Sequence, residues 1–229
     1  MQLIAHRGFA DEAAENTIPA LQRGAEIADA VEFDVRRCAS GEPVVFHDET
    51  VDRVTDASGA VADFEADALG AMDVLDSGAG IPTLAEAVVA IPPETPLLVE
   101  LKERGLAESA LDALADHEGR VLFASFDAEA LTEVRAADSD AELAAIAGDL
   151  RDTPIATAVE LDCSAVMVRA RLAALPTVRD AADRLALDVY VWTVQRRPIA
   201  RTLAWLGVDG VISDRAAVVP DRSTEQPRQ

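Results

Sequence analysis

The 229-residue chain is long enough to bury one full core, and half of its residues are apolar, which excludes a disordered or fibrous protein. A formal charge of −22 at pH 7 argues against nucleic acid and against anionic membrane surfaces as partners. Any anionic substrate would need local positive charge or a bound cation to enter that field.

The first strand is expected at residues 3–6, with no basic leader or long apolar segment before it, so a cytoplasmic chain without stable membrane insertion is expected. A helix follows at 17–28, with Asn16 or Thr17 as its cap and Pro19 in its opening turn. The next strand, 31–35, runs through Ser40-Gly41-Glu42 straight into the apolar run that ends at His47. So short a turn cannot hold a parallel crossover, which predicts an antiparallel hairpin that returns His47 to the mouth of the fold. Residues 49–80 are rich in Asp, Ala, Gly and Ser and read as a covering excursion. Beyond it, strands at 97–102, 121–125, 142–147, 165–168, 189–194 and 210–213 alternate with helices. Those helices are expected at 83–90 (capped by Thr83), 108–117, 128–137, 153–160, 177–187 and 197–206, the last stopped by Gly207. Eight apolar strands alternating with helices predict an α/β fold, a (β/α)8 TIM barrel with a short antiparallel hairpin after the second strand. One barrel domain over 1–219 and a polar tail over 220–229 complete the division of the chain.

The basic residues are unevenly chosen: Lys102 is the only lysine, and all the others are arginine. Acidic excess with so little lysine points to a protein soluble in concentrated salt, where screening relieves self-repulsion, over an ordinary acidic protein from an arginine-favouring genome. Cys38 and Cys163 form no short-spaced metal motif and read as free thiols. A lysine kept beside Glu100 in a strand-like run points to a task for a compact point charge, such as holding one phosphate oxygen.

Positions two apart in a strand face the same side. Glu32 therefore points with Asp34, and Glu100 with Lys102. Were both strands in one barrel, the three carboxylates would meet at its C-terminal mouth. Charges there are costly to bury unpaired, and a divalent cation such as Mg2+ or Ca2+ would offset that cost. His6-Arg7-Gly8 closes the first strand and His47-Asp48 closes the hairpin, which puts two of the three histidines at the same mouth. Arg7 is suited to bind a phosphate bidentately, with Gly8 letting the backbone come close. His117, at a polar helix end, has no expected role in chemistry.

The ordered set His6-Arg7-Gly8, Glu15-Asn16-Thr17, Glu32-Phe33-Asp34-Val35, Val44-Val45-Phe46-His47-Asp48 and Glu100-Leu101-Lys102 resembles the glycerophosphodiester phosphodiesterase family. Ile81-Pro82-Thr83-Leu84, Val191-Trp192-Thr193-Val194 and Gly207-Val208-Asp209-Gly210 extend the resemblance over nearly the whole chain. It implies a (β/α)8 barrel and metal-dependent hydrolysis of a small glycerophosphodiester to an alcohol and glycerol phosphate. It also implies His6 and His47 as the acid–base pair, and Glu32, Asp34 and Glu100 as ligands of Mg2+ or Ca2+. Arg7 and Lys102 would hold the phosphate. Apart from the resemblance, Trp192 reads as a residue that either lines the alcohol side of the pocket or fills the barrel. Ala14 and Gln195 depart from the family's common proline and asparagine, which bears on substrate preference rather than on the acid–base or metal set. The alternatives are a phospholipase C- or D-like activity on lysolipid or phosphoinositide, and a non-catalytic barrel that binds a phosphorylated ligand. No basic amphipathic helix favours the first, and no missing site residue favours the second. The oligomeric state is left open.

Overall fold

A computed structural model describes residues 1–219; the tail expected at 220–229 lies outside the described residues. In chain order the elements begin with β1 (Gln2–His6), α1 (Ile18–Ile27), β2 (Ala30–Arg37), β3 (Pro43–Val45), α2 (Ala66–Gly70) and α3 (Leu84–Ala90). There follow β4 (Leu97–Leu101), α4 (Ala107–Leu114), β5 (Val121–Ser125), α5 (Ala128–Ala137), β6 (Glu142–Ala147) and α6 (Pro154–Glu160). The last are β7 (Ala165–Arg169), α7 (Ala170–Ala173), α8 (Pro176–Leu185), β8 (Asp188–Trp192), α9 (Arg197–Trp205) and β9 (Gly210–Ser213).

All strands but β3 form a closed parallel ring, β1-β2-β4-β5-β6-β7-β8-β9, shut by the β9–β1 and β1–β2 ladders. β3 lies outside the ring, antiparallel on β2, with Val35 opposite Val45. This is the TIM barrel with the expected hairpin, and strand alternation builds it. Ile4, Ala30, Leu98, Leu122, Ala144, Met167 and Ile212 fill the barrel interior. Their neighbours Leu3, Val31, Leu97, Phe123, Leu143, Val166 and Val211 face out under the helices. At the N-terminal end Arg120 joins Glu142, Asp188 and the Tyr190 hydroxyl, which closes the floor with satisfied polar groups. A third cluster, Cys38, Val44, Phe46, Val51, Val54, Val61, Leu69, Val74 and Ile81, fixes the 49–80 excursion against the hairpin.

Several local expectations change. Thr17 occupies the cap position of α1, but its hydroxyl donates to the Ala14 carbonyl and neither it nor Asn16 caps the helix. Thr83 does cap α3, in a reciprocal box with Glu86. The strand expected at 189–194 ends at Trp192, and the helix expected at 177–187 is preceded by the separate short α7. Gly8 (φ +76) is required for a reason the sequence did not show: a Cβ there would lie 2.3 Å from the Ala20 carbonyl carbon, so it lets α1 pack against the β1 turn. Gly207 (φ +82) follows α9 as the expected stop. No described helix is long and apolar enough to cross a membrane.

Candidate active site

The strand alternation that fills the barrel also delivers its charged residues. Along β1 the inward series is Ile4 then His6; along β2 it is Ala30, Glu32, Asp34; along β4 it is Leu98, Glu100. The parallel register sets His6 level with Glu32, and Asp34 level with Glu100. Four functional side chains thus meet on three adjacent strands at the C-terminal end of the ring. His47 arrives separately, just past β3, where its carbonyl accepts from Arg36 Nε at 2.8 Å. Phe46 N–H still donates to the Asp34 carbonyl (2.9 Å), which holds the hairpin to the rim.

Ligand oxygens of Glu32, Asp34 and Glu100 all lie within 4.8 Å of one another, and the three side chains are buried. Asp34 is fully buried; Arg7 Nε stands 3.0 Å from its Oδ2 and Lys102 Nζ 3.3 Å from its Oδ1. Asn16 Nδ2 also donates to Asp34 Oδ2 at 3.0 Å. Lys102 Nζ meets Glu100 Oε1 at 2.5 Å. Lys102 is therefore not the lone cation beside the acids, because Arg7, bent back by a left-handed turn (φ 51), shares the task. Arg7 is itself held from behind by Glu15 (2.8 Å), and Arg53 from the excursion bridges Glu15 and Asp48.

The carboxylates respond unequally to this environment. Burial, reinforced by the nearby Asp34 and Glu100 charges, pushes Glu32 up to about 8. Burial and Asp34 likewise raise Glu100. Asp34 is also buried, yet Arg7 and Lys102 outweigh that cost and hold it well below the carboxylate range. The same contrast divides the histidines. Burial opposes charge on His6, but Glu32 and the Asp214 hydrogen bond overcome it and raise its pKa. For His47 burial prevails and the pKa falls.

Each histidine is oriented by a carboxylate on Nδ1: His6 by Asp214 at 2.5 Å and His47 by Asp48 at 2.6 Å. That fixes both rings with Nε2 directed away from the orienting acid; His6 Nε2 lies 3.8 Å from Glu32. Gln195 steadies Asp214 from its other oxygen at 2.9 Å. His117 is remote from this group and pairs with the Thr95 carbonyl.

His6, Arg7, Glu32, His47, Glu100 and Lys102 line one side of a cavity of about 90 Å³, and Phe126, Ile146, Met167, Trp192 and Ile212 line the other. Trp192, anchored by Nε1 to the Met167 carbonyl (3.2 Å), meets the Phe126 ring edge-on at 5.5 Å. A wider cleft of about 700 Å³ outside the ring, beside α4, is lined by acids and apolar side chains without histidine or basic residue, so it lacks these chemical groups.

All eight side chains singled out in the sequence are present at this mouth. Asp214, Arg53 and Phe126 were not singled out in the sequence, and Glu15, Asn16 and Gln195, named there only within or against the motifs, act here as supports. Asp214 follows Ile212 by two, and Phe126 follows Ala124 by two, so the strand period extended one step past each end would have found both.

An acid triad suits a hard divalent cation, since all its donors are oxygen. The fit is sharpened by Asp34 Oδ1, a buried oxygen that lies 3.3 Å from Lys102 Nζ but accepts no well-aligned hydrogen bond among the described residues. These three residues could hold a metal ion.

A profile of the glycerophosphoryl diester phosphodiesterase family matches residues 6–218. The glycerophosphodiester phosphodiesterase of Caldanaerobacter subterraneus subsp. tengcongensis is 29% identical, over 93% of both chains. A probable glycerophosphodiester phosphodiesterase 2 of Mycobacterium tuberculosis is also 29% identical, covering 95% of this chain and 89% of its own. Among solved structures, an Oleispira antarctica phosphodiesterase in complex with its product sn-glycerol-3-phosphate superposes with a TM-score of 0.86 at 28% identity, over 93% of each chain. This chain therefore belongs to the glycerophosphoryl diester phosphodiesterase family and is an enzyme of that class.

Proposed function

We propose that the chain hydrolyses small glycerophosphodiesters to an alcohol and glycerol phosphate in a metal-dependent reaction, with His6 and His47 as general acid and base. The observation that carries this reading is the pair of carboxylate-oriented histidines on one cavity with a buried acid triad. Glu32, Asp34 and Glu100 would hold the ion, Mg2+ or Ca2+, which when bound would draw charge from the phosphoryl oxygens.

The chain's own residues supply the rest. Asp214 and Asp48 hold the His6 and His47 rings by Nδ1, leaving Nε2 of each to exchange a proton with the substrate. One imidazole removes the proton of the attacking hydroxyl, either from water directly or from the neighbouring glycerol hydroxyl, the latter giving a cyclic phosphate that water then opens to glycerol phosphate. The other protonates the departing alkoxide. Each transfer is worth roughly 10²–10⁴ in rate. Arg7 and Lys102 flank the same acids and lie on the cavity wall, where they can take up the growing phosphoryl charge. Trp192 and its apolar neighbours keep water from the opposite side, which strengthens every charge interaction within.

The test is release of glycerol phosphate from a panel of water-soluble glycerophosphodiesters, with and without chelator, at low and high salt. Hydrolysis lost on chelation and restored by Mg2+ or Ca2+ is expected. Full activity after exhaustive chelation would remove the metal from the reading, and no turnover on any diester would remove the reaction itself.

A further inference from the structure

Inward-facing positions at the mouth end of β5 to β8 follow from the barrel interior. Leu122 and Ala124 lead to Phe126, Ala144 and Ile146 to Gly148, Ala165 and Met167 to Arg169, and Tyr190 to Trp192. Of these four terminal positions only Arg169 is charged. It sits level with Trp192 in the β7–β8 ladder, and its guanidinium carbon lies 5.0 Å from the centre of the Trp192 ring. The residue is exposed, and among the described residues no carboxylate lies within ion-pair distance of it.

Acids outnumber basic residues 42 to 20 in this chain, and the arginines of the charged half of the mouth, Arg7, Arg36 and Arg53, all bind carboxylates. Asp152, whose Oδ2 would lie 3.6 Å from a Cβ at Gly148, spends that oxygen on the backbone N–H groups of Gly148 and Asp149. Beside Arg169 the inward position is Gly148, which has no side chain to fill the space; a Cβ there would come within 3.9 Å of Arg169 Nε. The aromatic face holds the guanidinium by cation–π contact without consuming its N–H donors.

The direction follows from the reaction. A phosphodiester held by Arg7 and Lys102 on the β1–β4 side would point one alcohol arm toward Trp192, against whose ring the Arg169 guanidinium lies. Resting on the hydrolytic reading of this mouth, we propose that Arg169 selects glycerophosphodiesters whose leaving alcohol carries a second anionic group, a carboxylate or a phosphate. In a protein of net charge −22, a substrate of extra negative charge gains most from a local cation left without an acidic partner. Charge-assisted hydrogen bonds from a planar fork suit either oxyanion.

Glycerophosphoserine and glycerophosphoethanolamine differ only by a carboxylate, which makes them the deciding pair. Glycerophosphoglycerol with and without a terminal phosphate forms the second pair and separates phosphate from carboxylate recognition. The wild type, R169Q and R169K are compared by kcat/KM and by calorimetric binding. R169Q should lower the serine-to-ethanolamine ratio about 10–10²-fold, through KM, as expected for loss of a hydrogen bond to a charged group. R169K should keep part of that preference. A uniform loss on all substrates would mean that Arg169 only props Trp192, and an unchanged ratio in both pairs would equally overturn the proposal. Binding keeps the two claims apart. If no diester turned over, the hydrolase reading would fall, whereas a binding preference for the anionic partner that R169Q removes would still uphold Arg169.

Discussion

On the β1–β4 side of the mouth the inward positions carry His6, Glu32, Asp34 and Glu100, with Arg7, Lys102 and His47 added from the strand ends. On the β5–β8 side the same positions of the same ring carry Phe126, Ile146, Met167 and Trp192. One half holds buried charge, and each such group has a partner of opposite sign or a hydrogen bond. The other half has little that ionises until Arg169 at its rim. Burying charge is expensive unless it is paired, so the charged half needs a scaffold of supports behind it. Glu15, Asn16, Arg53, Asp48 and Asp214 are that scaffold. The apolar half needs only shape. Rate should therefore reside in the first half, and substrate choice in the second.

Removing a member of the acid triad is the harshest test of this division. Asp34→Asn leaves the amide of Asn16 and the charges of Arg7 and Lys102 without their common partner, and should lower turnover about 10³-fold or more whatever the alcohol. Glu32→Gln should do the same and adds a second readout. Burial and neighbouring carboxylates raise Glu32 to about 8, so at pH 7 without metal it is mostly protonated. Ion binding must displace that proton, so affinity should rise with pH up to about 8 and about one proton should be released per ion at pH 7. Calorimetry in buffers of different ionisation heat measures this release. An ion that binds E32Q with unchanged affinity would show the triad is not its seat.

The histidines come next. His6→Asn or His47→Asn should each cut turnover by about 10²-fold with the fold retained, and the double variant should lose little more. A nitrophenyl diester, whose leaving group needs no proton, should rescue the variant lacking the acid and not the one lacking the base. Equal rescue of both, or of neither, would undo the split of roles. As a control on the charged half, Lys102→Arg keeps the charge but exchanges a point donor for a fork, and should also depress turnover rather than binding.

Much of this was legible beforehand, because barrel strands buried on both faces are written as apolar runs, and a polar pair at the end of such a run stands out. His6, Glu32, Asp34 and Glu100 are interruptions of that kind. Elements without contrast were not legible. α7 is too short to show a helical period, and Leu175-Pro176 starts α8 afresh. Asn16 reads locally as a helix cap, yet its partner Asp34 is 18 residues away, a pairing set only when β2 enters the ring. Asp214 and Phe126 lie one residue past their strands, where apolar patterning no longer marks a face. Gly8 reads as a phosphate-approach glycine, whereas the packing of α1 is what excludes a side chain there.

A smaller effect tests the scaffold. Asp214→Asn keeps the shape but can present the wrong amide atom to His6 Nδ1, so the ring loses its fixed tautomer and the charge that supports imidazolium. Turnover should fall about 10-fold, with KM little changed, and the pH profile of kcat should shift to lower pH on its His6 limb. The sign follows from the cause: Asp214 is one of the groups that raise His6, and its removal lets burial pull the pKa down. An unmoved profile would mean that Asp214 supports the fold alone.

The mildest change belongs to the apolar half and decides whether that half acts on binding or on chemistry. Phe126 is about half exposed and touches Trp192 edge-on, with the rings at 88°. An aromatic pair of this geometry is worth about 0.5–1.5 kcal/mol beyond its buried area, or roughly 2–13-fold in an equilibrium constant. Phe126→Ala loses that contact and leaves Trp192 free to tilt over the alcohol arm. KM should rise by a few-fold for diesters of every alcohol, while kcat, set by residues on the opposite wall, should hold. Phe126→Leu, which restores bulk but not the ring edge, should recover part of the loss. A fall in kcat with KM unchanged would place Phe126 among the groups that shape the transition state, and the division of the mouth into a reacting half and a selecting half would fail there.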